Sequence, residues 1–251
     1  MTIDTRPVLP RRDPELLGQT VVVIGGSSGI GLETARSARA EGAQVVLTGR
    51  DPERLGHAAA EVGARRHAAF DALDPDRLDA FFRSFTAPVD HVMLTAGRPY
   101  YAPFADMDIA DAARYVADDV RLTLAVARHA AGTVRPGGTL LLMSGTGGRR
   151  PAVGISVTAL LTAGFPALTA NLALEIAPVR VNLIAPGFVD TPLSASLLGG
   201  DLDERRKHLR ATLPIRRVVG PEDVAALAVH IMVNSALTGA TFDVDGGQQV
   251  I

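Results

Sequence analysis

The stretch that decides the fold is TVVVIGGSSGIGLETA, residues 20–35. Its first part, Thr20–Ile24, is rich in valine and predicts a buried strand. Gly25, Gly29 and Gly31 then predict a tight turn that opens into a helix. Such a turn lets the backbone approach a pyrophosphate, and the helix N-terminus offers unpaired N–H donors to it. The stretch therefore predicts a dinucleotide-binding turn.

The rest of the chain alternates strand-like and helix-like segments. Further short apolar strand candidates lie at 44–48, 66–70, 91–95, 139–144, 180–184 and 241–244, and helical patterns at 31–41, 109–131, 156–176 and 221–233. Runs such as VVVI and TLLLM lack polar alternation, which is typical of parallel strands covered on both faces. The pattern predicts an α/β fold: one doubly wound, Rossmann-type domain with a mostly parallel sheet and helices on both faces.

The expected domain covers residues 16–251, after a flexible, polar and proline-broken tail over residues 1–15. An insert at about 193–213 is expected to act as a mobile substrate lid, with Gly199 and Gly200 as a hinge.

Composition excludes several classes of function. The chain has 251 residues, a formal net charge of −2 and no cysteine, so disulfides, thiolate catalysis and cysteine metal sites are excluded. No basic patch indicates nucleic acid or an anionic membrane as a partner. The six histidines match no metal-ligand spacing, so no metal is expected. No leader-like segment or uninterrupted apolar run of spanning length is seen, and we expect a cytoplasmic protein without a membrane segment.

Cofactor preference is predicted at the end of the second strand, VVLTGRD. An acidic residue there would hold the ribose 2′-OH of NAD, but Gly49 occupies the position and Arg50 follows. A guanidinium can pair with a 2′-phosphate, whereas a carboxylate would repel it. The sequence predicts NADP(H) in preference to NAD(H); the alternative is that Arg50 is merely an exposed residue ahead of a helix cap.

From about Leu16 onward, the sequence resembles the short-chain dehydrogenase/reductase family. The motifs occur in that family's order: GGSSGIG at 25–31, FDALD at 70–74, MLTAG at 93–97, RVNLIAPGFVDTP at 180–192 and TGATFDVDGG at 238–247. Together with the residues discussed above, the resemblance implies this cofactor-binding set: Gly25, Ser27, Ser28, Gly29, Ile30, Gly31, Arg50, Asp71, Ala72, Ala96, Gly97, Pro186, Gly187, Val189 and Thr191. It also implies a homodimer or homotetramer, formed through the helices at 109–131 and 156–176.

The departures from that family concern its catalytic tetrad of Asn, Ser, Tyr and Lys. Aligned on NLALE at 171–175, the Tyr and Lys positions fall on Thr158 and Thr162. The Ser position falls on Gly145, one residue after Ser144, and the Asn position falls on Arg121. Lys207 is the only lysine of the chain, so the usual Tyr-x-x-x-Lys chemistry is not available.

Four residues are candidates for replacement chemistry: Ser144, Thr158, Arg121 and Tyr101. Thr158 is a weak acid but can donate a hydrogen bond. Arg121 can bind an anion or stabilise an oxyanion, or it forms a salt bridge with Asp118 or Asp119. Tyr101 and its neighbour Tyr100 can present a phenol or simply pack.

Two further features remain open at this stage. Arg149 and Arg150 form either a pocket rim for a carboxylate or phosphate or a solvated surface pair. Pro166 lies inside the predicted helix 156–176 and removes the backbone hydrogen bond to the Thr162 carbonyl, from which a kink is hypothesised.

Three functions follow from these observations. The first is NADP(H)-dependent hydride transfer between a carbonyl and an alcohol, with a remodelled proton-transfer site. The second is a non-catalytic NADP(H)-binding sensor, or the partner subunit of an active paralogue. The third is a non-redox lyase or isomerase. The sequence indicates a small-molecule ligand but not which one.

Overall fold

A computed structural model of the chain describes residues 13–251. Seven parallel strands form one sheet in the order β3-β2-β1-β4-β5-β6-β7. The strands are β1 (Thr20–Ile24), β2 (Gln44–Gly49), β3 (Arg66–Ala69), β4 (Val89–Leu94), β5 (Val134–Met143), β6 (Arg180–Pro186) and β7 (Thr241–Val244). The strand order reverses between β1 and β4, and the crevice at such a switch point is where doubly wound folds bind their ligands.

Eight α-helices accompany the strands in the described part of the chain. They are α1 (Gly29–Ala40), α2 (Pro52–Val62), α3 (Pro75–Arg83), α4 (Ile109–Thr133), α5 (Ser156–Glu175), α6 (Pro192–Leu198), α7 (Leu202–Thr212) and α8 (Pro221–Val233). Apolar side chains of α3, α4 and α5 pack on one face of the sheet, and those of α1, α2 and α8 pack on the other. The predicted Rossmann-type class with helices on both faces is confirmed.

The buried strands explain why both faces need covering. Val21, Val22 and Val23 of β1 have no exposed surface, although they alternate between the two faces of the sheet. Full burial of one such side chain stabilises the fold by about 1.5–3 kcal/mol. A strand of this kind is stable only between two layers of helices, and this fixes the three-layer architecture.

Local signals set the helix starts. Asp51 precedes Pro52 and accepts a hydrogen bond from the Arg54 N–H at 3.0 Å. Asp74 caps α3 in the same way, with the Arg77 N–H at 3.1 Å. Each cap contributes about 1 kcal/mol. The helix cap expected directly after Arg50 is therefore confirmed at Asp51.

One strand begins earlier than expected. β5 runs from Val134 rather than from residue 139, and its pairing with β4 shifts register between Val89 and His91. Pro136 and Gly137 read as a turn in the sequence, yet here they form an irregular start to a strand. The later part of β5 pairs regularly and carries Ser144 to the carboxyl edge of the sheet.

Helix α5 forms one wall of the crevice. It runs through Pro166 without interruption, so the sequence irregularity does not end the helix. By length and composition, α5 could cross a membrane, with a third of its apolar window buried. A core helix of a globular domain has the same composition, and Leu161, Phe165 and Leu172 of α5 are buried against the sheet.

The insert after β6 is helical. Helices α6 and α7 follow the loop that leaves β6, and Gly199 between them has a φ of +52°. Leu209 and Leu213 are buried and attach the far end of the insert to the domain. Arg206 of α7 pairs with Asp190 at 2.7 Å and Arg205 lies over the Phe188 ring, so the insert packs against the loop after β6.

Candidate active site

The glycine turn is shaped by close backbone contacts. Gly25 has a φ of +100°, and a Cβ at this position would lie 2.6 Å from the Ala96 nitrogen. A Cβ at Gly31 would lie 2.6 Å from Thr95 Oγ1. The Thr95 hydroxyl is 3.1 Å from the carbonyl oxygens of both Ile24 and Gly25, and so joins the end of β4 to the turn. Only glycine fits at positions 25 and 31.

The N-terminus of α1 faces the crevice with unused donors. Ser28 is extended, and its side chain makes no capping hydrogen bond. The N–H groups of Gly29, Ile30 and Gly31 therefore have no acceptor within the helix. A Cβ at Gly29 would lie 3.5 Å from the side chain of Thr191, which places the loop after β6 directly across the turn. This arrangement suits a bound anion such as a pyrophosphate.

The end of β2 provides the cationic position. A Cβ at Gly49 would lie 3.2 Å from Ser27 Oγ, so the strand end and the glycine turn are in contact. Arg50 is exposed and makes no hydrogen bond or ion pair with any residue from 13 to 251. Its guanidinium is therefore available to a ligand, while Asp51 is engaged as the cap of α2.

The turn after β3 lies next to that strand end. The Phe70 N–H donates to the Gly49 carbonyl oxygen at 2.9 Å. The Asp71 carboxylate accepts from the Leu73 N–H at 3.0 Å, and Ala72 is buried. This turn is held rigidly beside Gly49, where the resemblance expects an adenine contact.

The loop after β6 is braced by the C-terminal segment. Gln248 Oε1 accepts from the Phe188 N–H at 2.9 Å, and Thr191 caps α6 by accepting from the Ser194 N–H at 3.2 Å. Four of the predicted cofactor-binding residues lie at the end of β6 or in the loop after it: Pro186, Gly187, Val189 and Thr191. This loop, the glycine turn and the Ala96-Gly97 segment surround one crevice.

The residues present fit a dinucleotide. The glycine turn leaves no room for side chains, the α1 N-terminus has unpaired donors, and Arg50 has no internal partner. The turn lets the backbone approach the pyrophosphate, the N–H donors of α1 can bind its oxygens, and Arg50 can pair with a further phosphate.

The two threonines of α5 are already engaged. Thr158 Oγ1 donates to the Tyr100 carbonyl oxygen at 2.7 Å and accepts from the Tyr100 N–H at 3.1 Å. Thr162 Oγ1 lies 3.0 Å from the Thr158 carbonyl oxygen and 3.2 Å from that of Ala159. Both hydroxyls thus bond to backbone groups, and neither has its proton free for a substrate.

Arg121, Ser144 and Gly145 occupy different environments. Arg121 Nη2 pairs with Asp118 at 2.8 Å, and the arginine side chain is 62% exposed, so the salt-bridge alternative describes its geometry. Ser144 is half-buried at the carboxyl edge, and its hydroxyl has no hydrogen-bond partner among residues 13–251. A Cβ at Gly145 would lie 3.5 Å from Thr162 Cγ2, so this position faces α5.

Arg149 and Arg150 have different hydrogen-bond partners. Arg149 forms a two-pronged ion pair with Asp243, with one contact at 2.6 Å. Arg150 donates to the Gln248 carbonyl oxygen at 2.9 Å and pairs with no carboxylate in the described chain. Only Arg150 keeps a positive charge that is not balanced by an ion pair.

A tyrosine cluster lies beside the start of α5, to which the Tyr100 backbone is bonded. The Tyr115 ring on α4 lies 5.5 Å from the Tyr100 ring, and the Tyr100 hydroxyl donates to the Asp108 carbonyl oxygen at 3.3 Å. Burial, followed by the nearby Asp119 carboxylate, raises the pKa of Tyr115 to about 12. Burial also raises the pKa of Asp119, whose Oδ1 would lie 3.7 Å from a Cβ at Gly97. Tyr115 therefore stays protonated at neutral pH, and Asp119, which acts on it, lies next to Gly97.

Tyr101 lies at the open side of this cluster. Its side chain is 55% exposed, and solvent limits the rise in pKa that partial burial of its phenol produces. Arg205 on α7 is near enough to Tyr101 for the charge of the guanidinium to oppose that rise. The insert thus approaches the tyrosine cluster through Arg205.

Comparison with known proteins places the chain in a family. A family model described as enoyl-(acyl carrier protein) reductase matches residues 24–249. Dehydrogenase/reductase SDR family member 4 from Sus scrofa is 32% identical over 260 residues, which cover 94% of this chain and 89% of the relative. The chain belongs to the short-chain dehydrogenase/reductase family. The predicted resemblance is confirmed, and the family binds a nicotinamide cofactor.

Solved structures of short-chain dehydrogenases share the whole architecture. The MalC reductase/Diels-Alderase from Malbranchea aurantiaca superposes with a TM-score of 0.88 at 26% identity, covering 96% of this chain and all of that one. A small-chain dehydrogenase in complex with NADPH superposes with a TM-score of 0.79 at 27% identity, covering 93% of this chain and all of that one.

Three residues beside the candidate site are not among the site residues predicted from motifs: Tyr115, Asp119 and Arg205. For the first two, a signal was present in the sequence. Tyr115 and Asp119 are spaced i, i+4 and continue the apolar stripe of α4 through Leu122 and Val126, so helical periodicity places them on the inner face. Arg121 lies off that stripe. Nothing in the sequence places Arg205, because its position depends on how α7 packs.

Proposed function

We propose that the chain is an NADP(H)-dependent oxidoreductase that reduces a carbonyl to an alcohol, with Tyr115 as the proton donor. The observation that carries the proposal is the contrast between the hydroxyls of α5 and the phenol on α4. The hydroxyls of Thr158 and Thr162 are bonded to backbone, whereas the phenol of Tyr115 is protonated and its ring lies 5.5 Å from that of Tyr100. The available proton therefore lies on α4 and its neighbouring loop, not on α5.

The cofactor would be held by residues already described. The glycine turn and the N-terminus of α1 would take the pyrophosphate, and Arg50 would take the 2′-phosphate of NADP(H). Gly49 supplies no carboxylate that would favour NAD(H). The solved neighbour in complex with NADPH supports this preference. When bound, NADPH supplies the hydride that adds to the carbonyl carbon.

The residues of this chain handle the oxygen and the proton. Ser144, whose hydroxyl has no internal partner, donates a hydrogen bond to the carbonyl oxygen. The Oη–H bond of Tyr115 breaks as its proton passes to that oxygen, and water returns a proton to the phenolate. A phenol with a pKa of about 12 is protonated at neutral pH, so Tyr115 has a proton to give, and it gives that proton less readily than a tyrosine with the ordinary pKa of about 10.

Thr158 has a positioning role in this proposal. Its hydroxyl is hydrogen-bonded to both the N–H and the carbonyl oxygen of Tyr100. The Ala102 N–H donates to the Gly154 carbonyl oxygen at 2.9 Å. These bonds tie the loop after β4, which carries Tyr100 and Tyr101, to the start of α5. The α5 residue at the aligned tyrosine position therefore holds the loop that presents other tyrosines.

The assembly and setting proposed for the protein follow the sequence expectations. We infer a homodimer or homotetramer through α4 and α5, because Leu160 and Leu174 of α5 and Leu124 of α4 are exposed apolar residues. The insert around α6 and α7 is proposed as the substrate lid. A cytoplasmic protein without nucleic-acid or membrane partners remains our proposal for its setting.

Two other functions have supporting observations. A non-catalytic NADP(H)-binding protein, acting as a sensor or as the partner of an active paralogue, is favoured by the engaged hydroxyls of Thr158 and Thr162. A non-redox reaction is favoured by the likeness to MalC, which is described as both a reductase and a Diels-Alderase.

The test combines calorimetry with stopped-flow kinetics. Isothermal titration should show NADPH binding more tightly than NADH, and NADPH absorbance should decay when the loaded protein meets a reducible member of a panel of ketones and aldehydes. NADPH binding without decay across the panel would support the non-catalytic candidate. No NADPH binding at all would refute both functions that depend on the cofactor.

A further inference from the structure

We infer that Arg205 and Arg150 form a recognition site for an oxyanion, carboxylate or phosphate, on the substrate. This inference rests on the proposed function and deepens it by naming the substrate class. Arg205 belongs to α7, and its guanidinium carbon lies 5.8 Å from the centre of the Phe188 ring. Phe188 is in the loop after β6 that borders the crevice, so the guanidinium is fixed at the inner side of the insert.

The charge of Arg205 is not balanced by protein groups. It makes no ion pair with a carboxylate within residues 13–251, whereas Arg206 beside it pairs with Asp190 at 2.7 Å. The adjacent acid Glu204 is directed to Lys207, at 3.9 Å. Of the two neighbouring arginines of α7, Arg206 helps to attach the insert to the domain, whereas Arg205 forms no ion pair within residues 13–251.

A second unbalanced cation lies within electrostatic range. Arg150, in the loop after β5, donates to the Gln248 carbonyl oxygen, and Gln248 Oε1 accepts from the N–H of Phe188, the residue whose ring lies under Arg205. The charge of Arg150 adds to the larger effect of burial in lowering the pKa of Arg205. Two guanidinium groups that approach without a carboxylate between them cost free energy, which an oxyanion would recover through charge-assisted hydrogen bonds.

The surroundings define the rest of the ligand. The Phe188 ring provides aromatic surface under Arg205, and the exposed Tyr101 is near enough for its charge to act on Arg205. Tyr101 follows Tyr100 in the chain, and the Tyr100 ring lies 5.5 Å from that of Tyr115. A substrate with an oxyanion at one end and an apolar or aromatic body would thus extend from the two arginines toward the proton donor, so the substrate is an anionic carbonyl compound. Arg50, which we assign to the cofactor, is on a different strand end.

The test uses three aromatic probes of similar shape: benzoate, phenyl phosphate and the neutral benzamide. Each is titrated into the NADPH-loaded protein by isothermal calorimetry, with wild type, Arg205→Gln and Lys207→Gln compared. Lys207→Gln is the matched control, because it removes a cation of the same helix whose side chain is 80% exposed. Benzoate or phenyl phosphate should bind wild type at least about tenfold more tightly than benzamide, and Arg205→Gln should remove that preference. Which of the two anions binds better identifies the chemistry of the group.

The outcomes separate this inference from the proposed function. If both anions bind no better than benzamide, or if the preference survives in Arg205→Gln, the anion site is wrong while NADPH binding still supports the oxidoreductase. If Arg205→Gln weakens NADPH binding instead, the two arginines serve the cofactor and the inference is overturned. If wild type binds no NADPH, the proposed function itself fails, and the same anion titration on the cofactor-free protein still decides the site.

Discussion

The glycine turn and the start of α5 are two walls of one crevice, and they differ in what they leave unused. The turn leaves backbone donors unpaired at the N-terminus of α1 and excludes side chains at Gly25 and Gly31. At the start of α5, by contrast, the hydroxyls of Thr158 and Thr162 are bonded to backbone groups and have no proton free for a ligand. A binding site needs unsatisfied groups directed at the ligand. The comparison indicates that the cofactor wall is ready for a ligand and that α5 serves as a support.

Gly31→Ala should have the largest effect, because it places a side chain in the glycine turn that is proposed to bind the cofactor. The added Cβ would lie 2.6 Å from Thr95 Oγ1 and closer still to the Gly25 carbonyl oxygen. We expect NADPH binding to be lost and the free energy of unfolding to fall by about 1–3 kcal/mol. Calorimetry and urea denaturation measure the two effects.

Gly56→Ala is the control for that substitution. A Cβ at Gly56 in α2 meets no atom within 4 Å, so this change should leave NADPH binding intact and stabilise the helix by about 0.5–1 kcal/mol. Normal NADPH binding by Gly31→Ala would contradict the proposed shape of the turn.

Thr158→Val tests whether α5 is a support. It leaves the backbone N–H and carbonyl of Tyr100 without their side-chain partner. The loop after β4, which carries Tyr100 and Tyr101, is then no longer tied to α5 by these bonds. Since small displacements of catalytic groups are costly, kcat/KM should fall by about 10–100-fold. Thr158→Ser, which keeps the hydroxyl, should restore it. Thr162→Val removes only a bond to the helix backbone and should change kcat/KM by less than about twofold. Equal losses in the two valine variants would refute a specific role for Thr158.

Arg50→Ser sharpens the description of the cofactor wall. Because Arg50 has no partner among residues 13–251, its loss should affect only the ligand. The Kd for NADPH should rise by about tenfold, while the Kd for NADH stays unchanged. Arg54→Ser, an exposed arginine one turn into α2, is the matched control and should alter neither constant. An equal rise for both cofactors would remove the basis for NADP(H) preference.

Asp119→Asn should give the smallest effect, a shift in one titration. The Asp119 carboxylate contributes to the raised pKa of Tyr115, so the variant should titrate below about 12. The chain has three tyrosines and no tryptophan, so tyrosinate absorbance reports only on this cluster. In the wild type, the pKa of Tyr115 is about 10 in the unfolded chain and about 12 in the folded protein. Because the unfolded chain loses this proton first, the free energy of unfolding falls as pH rises from about 10 to 12. That fall should be smaller in the variant; an unchanged titration would show that Asp119 does not act on Tyr115.

The sequence predicted the parts of the molecule that depend on local rules. The glycine turn, the helix cap at Asp51 and the buried strands each follow from a few neighbouring residues, and together they determine the Rossmann-type class. The early start of β5 was missed, because Pro136 and Gly137 indicate a turn unless the neighbouring strand is known.

The candidate site was less predictable, because its members are distant in sequence. Thr158 could be located by motif, but its bond to Tyr100 spans 58 positions and depends on the loop after β4. Tyr115 and Asp119 could have been found from the helical period of α4. Arg205 could not, because its contact with Phe188 exists only once α7 packs over the crevice.

Single-turnover oxidation of NADPH by Tyr115→Phe is the most direct test of the central claim. With a carbonyl substrate that the wild type reduces, loss of the phenol proton should slow hydride transfer by about 10²–10⁴-fold while NADPH affinity stays the same. An unchanged rate in Tyr115→Phe would contradict the account, because the proton would then come from another group.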